Sequence, residues 1–166
     1  MKYEIDDNSL KFIGELDETC PLEDLRPAVH QLNQEFPEQV VHVDFSKVSR
    51  ANSLGIVTWL KLLQEMNFTV SYVNCPPWLV TQFNLLDTAF FKDKTLIESI
   101  YIPFYCEELD HEERFLFHIG KDIPIQSSYD QFELTDRLID GHKYVPDITY
   151  RLYFAFLTRI KLSEAG

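Results

Sequence analysis

The order of apolar and polar positions divides the chain into two stretches of different grammar. Over residues 10–16 the sequence LKFIGEL sets Leu10, Phe12 and Leu16 on one side, the period of a short strand. Pro21 with Glu23 and Asp24 reads as a helix start, because proline suits the first turn and carboxylates suit the positive end of the helix dipole. Leu22, Leu25, Val29, Leu32 and Phe36 then recur at alternating three- and four-residue steps, an apolar stripe that Pro37 ends. Pro27 inside that stripe predicts a kink, or a start delayed to Asp24.

Residues 40–45, VVHVDF, form the best strand in the chain, and their apolar character on both faces predicts a central place in a sheet covered by helices. SKVSRANS, 46–53, reads as a loop, and LGIVTWLKLLQEM, 54–66, as a helix. Phe68, Val70 and Tyr72 alternate with polar residues in a third strand closed by Cys75-Pro76-Pro77. Trp78 or Leu79 opens another helix, with Leu79, Phe83, Leu86 and Phe90 on one stripe. Strands alternating with amphipathic helices imply parallel neighbours joined by right-handed crossovers.

After residue 94 the pattern changes. LIESIYIPFYC and ERFLFHI flank the acidic EELDHEE as a hairpin; a polar stretch, 122–130, precedes a short strand at 132–134. Pro146 and Asp147 suit the start of a last helix, and Arg159 and Lys161 its end, with Ile148, Leu152, Phe156 and Ile160 on its apolar stripe. The reading is therefore two parts, 1–92 as an α/β domain and 93–166 as a small α+β extension. Tyrosines and phenylalanines widen the last stripe enough to suggest a homodimer or partner face.

Charge narrows the function. With 27 acids against 15 bases the net charge is −12, which repels phosphate backbones and anionic lipid. No window approaches a membrane span, no apolar leader opens the chain, and Cys20, Cys75 and Cys106 form no CxxC, so the expected setting is cytoplasmic with reduced thiols. Cys106, His111 and His118 match no metal-site spacing, Gly55 stands without a phosphate-binding glycine loop, and the acids of 107–113 read as a solvated turn. No catalytic, cofactor or metal residues are assigned, and a non-enzymatic role is expected.

The informative stretch is VVHVDFSKVSRANSLGIVTWLKLL, residues 40–63. Asn52 or Ser53 can cap the following helix, and Gly55 lets its backbone approach a neighbour. Asp44-Phe45-Ser46, Asn52-Ser53-Leu54-Gly55 and the Gly14-x-Leu16-Asp17 that ends the first strand resemble the STAS family, which includes anti-sigma-factor antagonists and cytoplasmic domains of sulfate transporters. The resemblance covers residues 3–90 and implies a four-stranded mixed sheet flanked by helices.

It also implies a protein-binding regulator, with Asp17, Asn52, Ser53, Leu54 and Gly55 as partner contacts and Ser53 as phospho-acceptor. The implied partner is a serine kinase that holds a sigma factor. Asn52 stands where the family has Asp, and Leu54 where it has a second hydroxyl residue. Both favour the alternative, an unphosphorylated accessory subunit of a transporter or signalling assembly. The extension resembles a zinc ribbon through Pro103-Phe104-Tyr105-Cys106 and Tyr153-Phe154-Ala155-Phe156-Leu157, with Leu109 in place of the second cysteine, and is expected to be metal-free.

Overall fold

The structure, a computed structural model, describes residues 1–19, 22–91 and 95–159. The expected helix start at Pro21 and helix end at Lys161 lie outside them. An unforeseen strand, β1 (Lys2–Asp6), pairs antiparallel with β2 (Ser9–Leu16) around Asp7 at φ 51°. Its KYEID offers only two apolar residues; Tyr3 and Ile5 lie opposite Phe12 and Leu10 and cover the core edge. Helix α1 (Leu22–Glu35) begins ahead of Asp24 and carries Pro27 inside it. Leu25, Ala28, Val29 and Leu32 are all buried, and their packing holds the helix across the missing N–H.

The central strand β3 (Val40–Ala51) runs through residues 46–51, where the sequence predicts a loop. Lys47, Val48, Arg50 and Ala51 pair in parallel with Ile13, Gly14, Glu15 and Leu16, with one register shift just before Ile13 and another between Gly14 and Glu15. Val48 is buried while Lys47, Ser49 and Arg50 face solvent, so the polar appearance of the segment is that of a half-exposed strand end. Helix α2 (Ser53–Glu65) and β4 (Thr69–Val73) follow. Helix α3 (Pro77–Leu85) ends at Leu86, whose φ of −130° breaks the expected stripe; a separate turn, α4 (Asp87–Phe90), returns Phe90 to the core.

The first sheet has the order β1-β2-β3-β4-β5, with β5 (Leu96–Ile97) parallel to β4: five strands in a mixed sheet, against the four expected. Because strand order follows chain order, right-handed crossovers bring α1, α2 and α3 to one face. Under them Leu10, Phe12, Val41, Val43, Phe45 and Tyr72 are buried. Trp59 of α2 stands edge-on to Phe12 and Phe45 at 5.4 and 5.0 Å and donates its indole N–H to the Tyr72 hydroxyl at 3.0 Å. The opposite face, expected to be apolar and helix-covered, is polar. There Lys11 lies 3.5 Å from Asp44, Asn74 donates to Asp44 at 3.1 Å, and Ser71 donates to Glu98 at 2.5 Å.

The chain passes from β5 into β6 (Ser99–Cys106) with little interruption. Cys75 N–H donates to the Ser99 carbonyl at 3.0 Å and Tyr101 N–H to the Cys75 carbonyl at 2.8 Å, so the two sheets share this line of chain. β6 and β7 (His111–His118) make the expected hairpin. The strand expected at 132–134 is absent; β8 (Arg137–Ile139) and β9 (His142–Pro146) form a hairpin instead, turning at Asp140 and Gly141, both with positive φ. This second sheet has the order β7-β6-β9-β8, antiparallel throughout.

The long last helix is also replaced. Pro146 belongs to β9, and among the described residues only the single turn α5 (Tyr150–Tyr153) and a 3-10 turn (Ala155–Thr158) follow. Phe154, Phe156 and Leu157 are buried at spacings no single helix face provides, while Leu152 of the expected stripe is 60% exposed.

Candidate functional site

Strand β3 ends beside the end of β2, and the chain turns there into α2. Asn52 N–H donates to the Leu16 carbonyl at 3.0 Å, which ties the turn to β2. The Asn52 side-chain oxygen accepts from the Gly55 N–H at 3.0 Å and caps the helix, while its amide nitrogen donates to the Glu18 carboxylate. Gly55 packs against β2: a Cβ there would lie 1.9 Å from the Leu16 carbonyl oxygen, so no other residue fits without moving backbone. Asp17 accepts from the Thr19 hydroxyl at 2.6 Å and the Thr19 N–H at 2.9 Å. These bonds hold its carboxyl below the ordinary range, with Arg50 adding a smaller pull.

The five residues singled out in the sequence therefore meet at one corner, with distinct places in it. Asn52 and Gly55 build the corner. Ser53 and Leu54 are exposed on the first helical turn, Leu54 at 59%, and Asp17 is half-buried beside them. Among the described residues the N–H groups of Ser53 and Leu54 make no hydrogen bond. Two neighbours escaped the sequence reading. Glu18 is fixed by the Asn52 amide, and Val57, 46% exposed, sits one turn beyond Leu54. A helical wheel of 53–65 places Val57 beside Leu54 and away from buried Trp59, and that signal was available.

The corner presents two exposed apolar side chains, one hydroxyl, and a rim containing Asp17, Glu18 and the Glu15–Arg50 pair at 2.6 Å. Other groupings of reactive side chains are wired differently. Ser71, His42 and Glu98 share the polar sheet face, but the Ser71 hydroxyl donates to the Glu98 carboxylate and is fully buried. His42 Nδ1 lies 3.1 Å from the same oxygen, out of line for a hydrogen bond. The carboxylate stands in the middle, where a nucleophilic triad needs the imidazole. Burial pushes the Cys75 thiol well up, away from a reactive thiolate.

In the extension Cys106 is buried at the end of β6. His111 faces Glu113 at 3.5 Å and His118 faces Asp122 at 3.2 Å, so the imidazoles turn to different partners. The β6–β7 turn is tied to the β8–β9 hairpin by Glu108 and His142 at 2.7 Å. Among the described residues no three His, Cys, Asp or Glu side chains converge for a metal, and no helix is long and apolar enough to cross a membrane.

Comparison of the chain with profiles of known protein families, with curated proteins and with solved structures gave no match.

Proposed function

We propose that the chain is a non-enzymatic, STAS-type regulator that docks on a partner protein through the first turns of α2. The strand order, with β1 antiparallel to β2 and the remaining strands parallel, supports that reading, as does a polar corner where the central strand hands over to a helix. One observation carries it. Leu54 and Val57 present apolar side chains to solvent beside an open Ser53 hydroxyl, on a turn fixed by Asn52 and Gly55. Burying such a rigid apolar pair against a partner releases hydration without ordering the loop first.

Ser53 is the phospho-acceptor in this proposal. A phosphate would add about −1.5 to −2 charges at pH 7 beside Glu18 and Asp17. Helix amides would accommodate it, and the enlarged negative rim would repel an acidic partner surface. The partner is a cytoplasmic serine kinase that holds a sigma factor, which the unmodified chain sequesters. Exposed Leu54 favours a second reading, constitutive docking as an accessory subunit, because an apolar contact there needs no hydroxyl chemistry.

The test is affinity capture from the native host with wild type, Leu54→Asp and Ser53→Glu. A discrete protein retained by wild type and lost with Leu54→Asp, at unchanged thermal stability, supports docking; retention by Leu54→Asp contradicts it. Intact mass after incubation with that protein and ATP separates the two readings. One added phosphate, absent in Ser53→Ala, identifies the switch, and no added mass identifies the subunit.

A further inference from the structure

Away from α2, the second sheet and the segment preceding β8 enclose a cleft of about 480 Å³, within the size range of small-ligand sites. Phe117, Phe132 and Leu134 give it apolar walls, and Arg137 stands at its edge. The Arg137 guanidinium lies over two ring faces, 5.1 Å from the centre of Phe115 and 5.3 Å from that of Phe117. In a chain with 27 acids and 15 bases, Arg26, Arg50, Arg114 and Arg151 each meet a carboxylate, at 2.6 to 3.9 Å. Arg137 meets none among the described residues, although Asp122, Glu133 and Asp136 line the same cleft.

The reason lies in how those acids are spent. Asp122 accepts the His118 N–H at 2.8 Å and faces its ring nitrogen, and Asp136 is paired with Lys143 at 2.7 Å. Ring faces accept no N–H bond in the plane of a guanidinium, so Arg137, with no carboxylate partner among the described residues, can receive a planar carboxylate through two parallel bonds. Glu133, without a basic partner among the described residues, keeps the rim negative and works against dianions.

The geometry points to this cleft as a binding site for a monocarboxylate with an aromatic or apolar body: the carboxylate on Arg137, the body against Phe117, Phe132 and Leu134. The same chemistry is offered by a free small acid and by a peptide ending in an aromatic residue.

Nuclear magnetic resonance titration of the full chain with phenylacetate tests it. Expected are saturable shifts of the Arg137 side-chain N–H and of amides 132–137, with Kd on the order of 1 mM or tighter. Arg137→Met keeps the contact with the rings and loses the fork, and should weaken binding at least about tenfold; Arg137→Lys keeps the charge and should still bind several-fold more weakly. An N-acetylated dipeptide ending in Phe that binds tighter than phenylacetate marks a chain terminus as the natural ligand, and the reverse order marks a free acid. Shifts scattered over other faces, undiminished binding by Arg137→Met, or equal binding of phenethylamine or inorganic phosphate in the cleft would overturn the assignment.

Discussion

Residues 1–97 hold together by periodic burial, whereas residues 99–159 combine an antiparallel sheet with a C-terminal segment fastened by side chains that reach for backbone. In the first region each strand contributes alternate residues to one apolar face, and three helices lay their stripes on it. The second is tied down from outside by Asn84 of α3, which donates to the Tyr153 carbonyl at 3.0 Å and accepts from the Phe156 N–H at 2.7 Å. The Tyr153 hydroxyl donates to the Tyr101 carbonyl at 2.6 Å, and the Tyr150 hydroxyl accepts from the Leu134 N–H at 3.1 Å. Helical hydrogen bonds are given up there and replaced one at a time. The contrast teaches that the candidate docking corner rests on a cooperative frame, while the C-terminal segment is a strap whose fastenings can be undone individually.

The difference can be broken most forcefully at Trp59. Replacement by Ala removes the ring between Phe12 and Phe45 and leaves the buried Tyr72 hydroxyl without its donor, for an expected loss of about 3–5 kcal/mol. Urea unfolding should shift as one transition reported by both regions. At the corner itself, Gly55→Ala forces α2 off the Leu16 carbonyl and should lose about 2–3 kcal/mol together with partner binding. Asn84→Ala sharpens the other side: about 1–3 kcal/mol, with amide exchange accelerated over 150–159 and unchanged in β2, β3 and β4. Exchange that rises equally in both regions would show one cooperative unit instead.

Asn52→Ala removes a cap and should cost about 1 kcal/mol, read as a lower midpoint in thermal unfolding and faster exchange at Gly55. The smallest effect is acid loosening of the 17–19 turn. Because the Asp17 carboxyl is held below its ordinary range in the folded chain, its contribution is present above the unfolded value and lost as pH falls through the folded one, below about 4. The Thr19 amide resonance should follow that titration, and Thr19→Val should move it back toward the ordinary carboxylate range.

Regularity decided what the sequence disclosed. β2, β4, α2 and the β6–β7 hairpin are legible because apolar residues in them recur with a period of 2 or 3.6. The end of β3 was hidden because Lys47, Ser49 and Arg50 face water while only Val48 faces inward. The polar sheet face was hidden because His42 and Asp44 interrupt an otherwise apolar run, and the groups that face them, Glu98 and Lys11, are remote in sequence. The C-terminal helix was misread because Ile148, Leu152, Phe156 and Ile160 keep a four-residue spacing, while Asn84, remote in sequence, claims the backbone of Tyr153 and Phe156. Asp140-Gly141 was a readable turn signal for the β8–β9 hairpin and was passed over. At the corner, the cap and the close glycine follow from the residues alone, but Glu18 becomes a member only once β2 and β3 lie side by side.

The most direct test of docking at α2 replaces Leu54 with a photo-reactive amino acid in the native host and, in a second strain, does the same at Leu138 of β8, which is 75% exposed on the other region. The account predicts a discrete cross-linked protein from position 54 and none of that mass from position 138. The same protein captured from position 138 and not from 54 would contradict it.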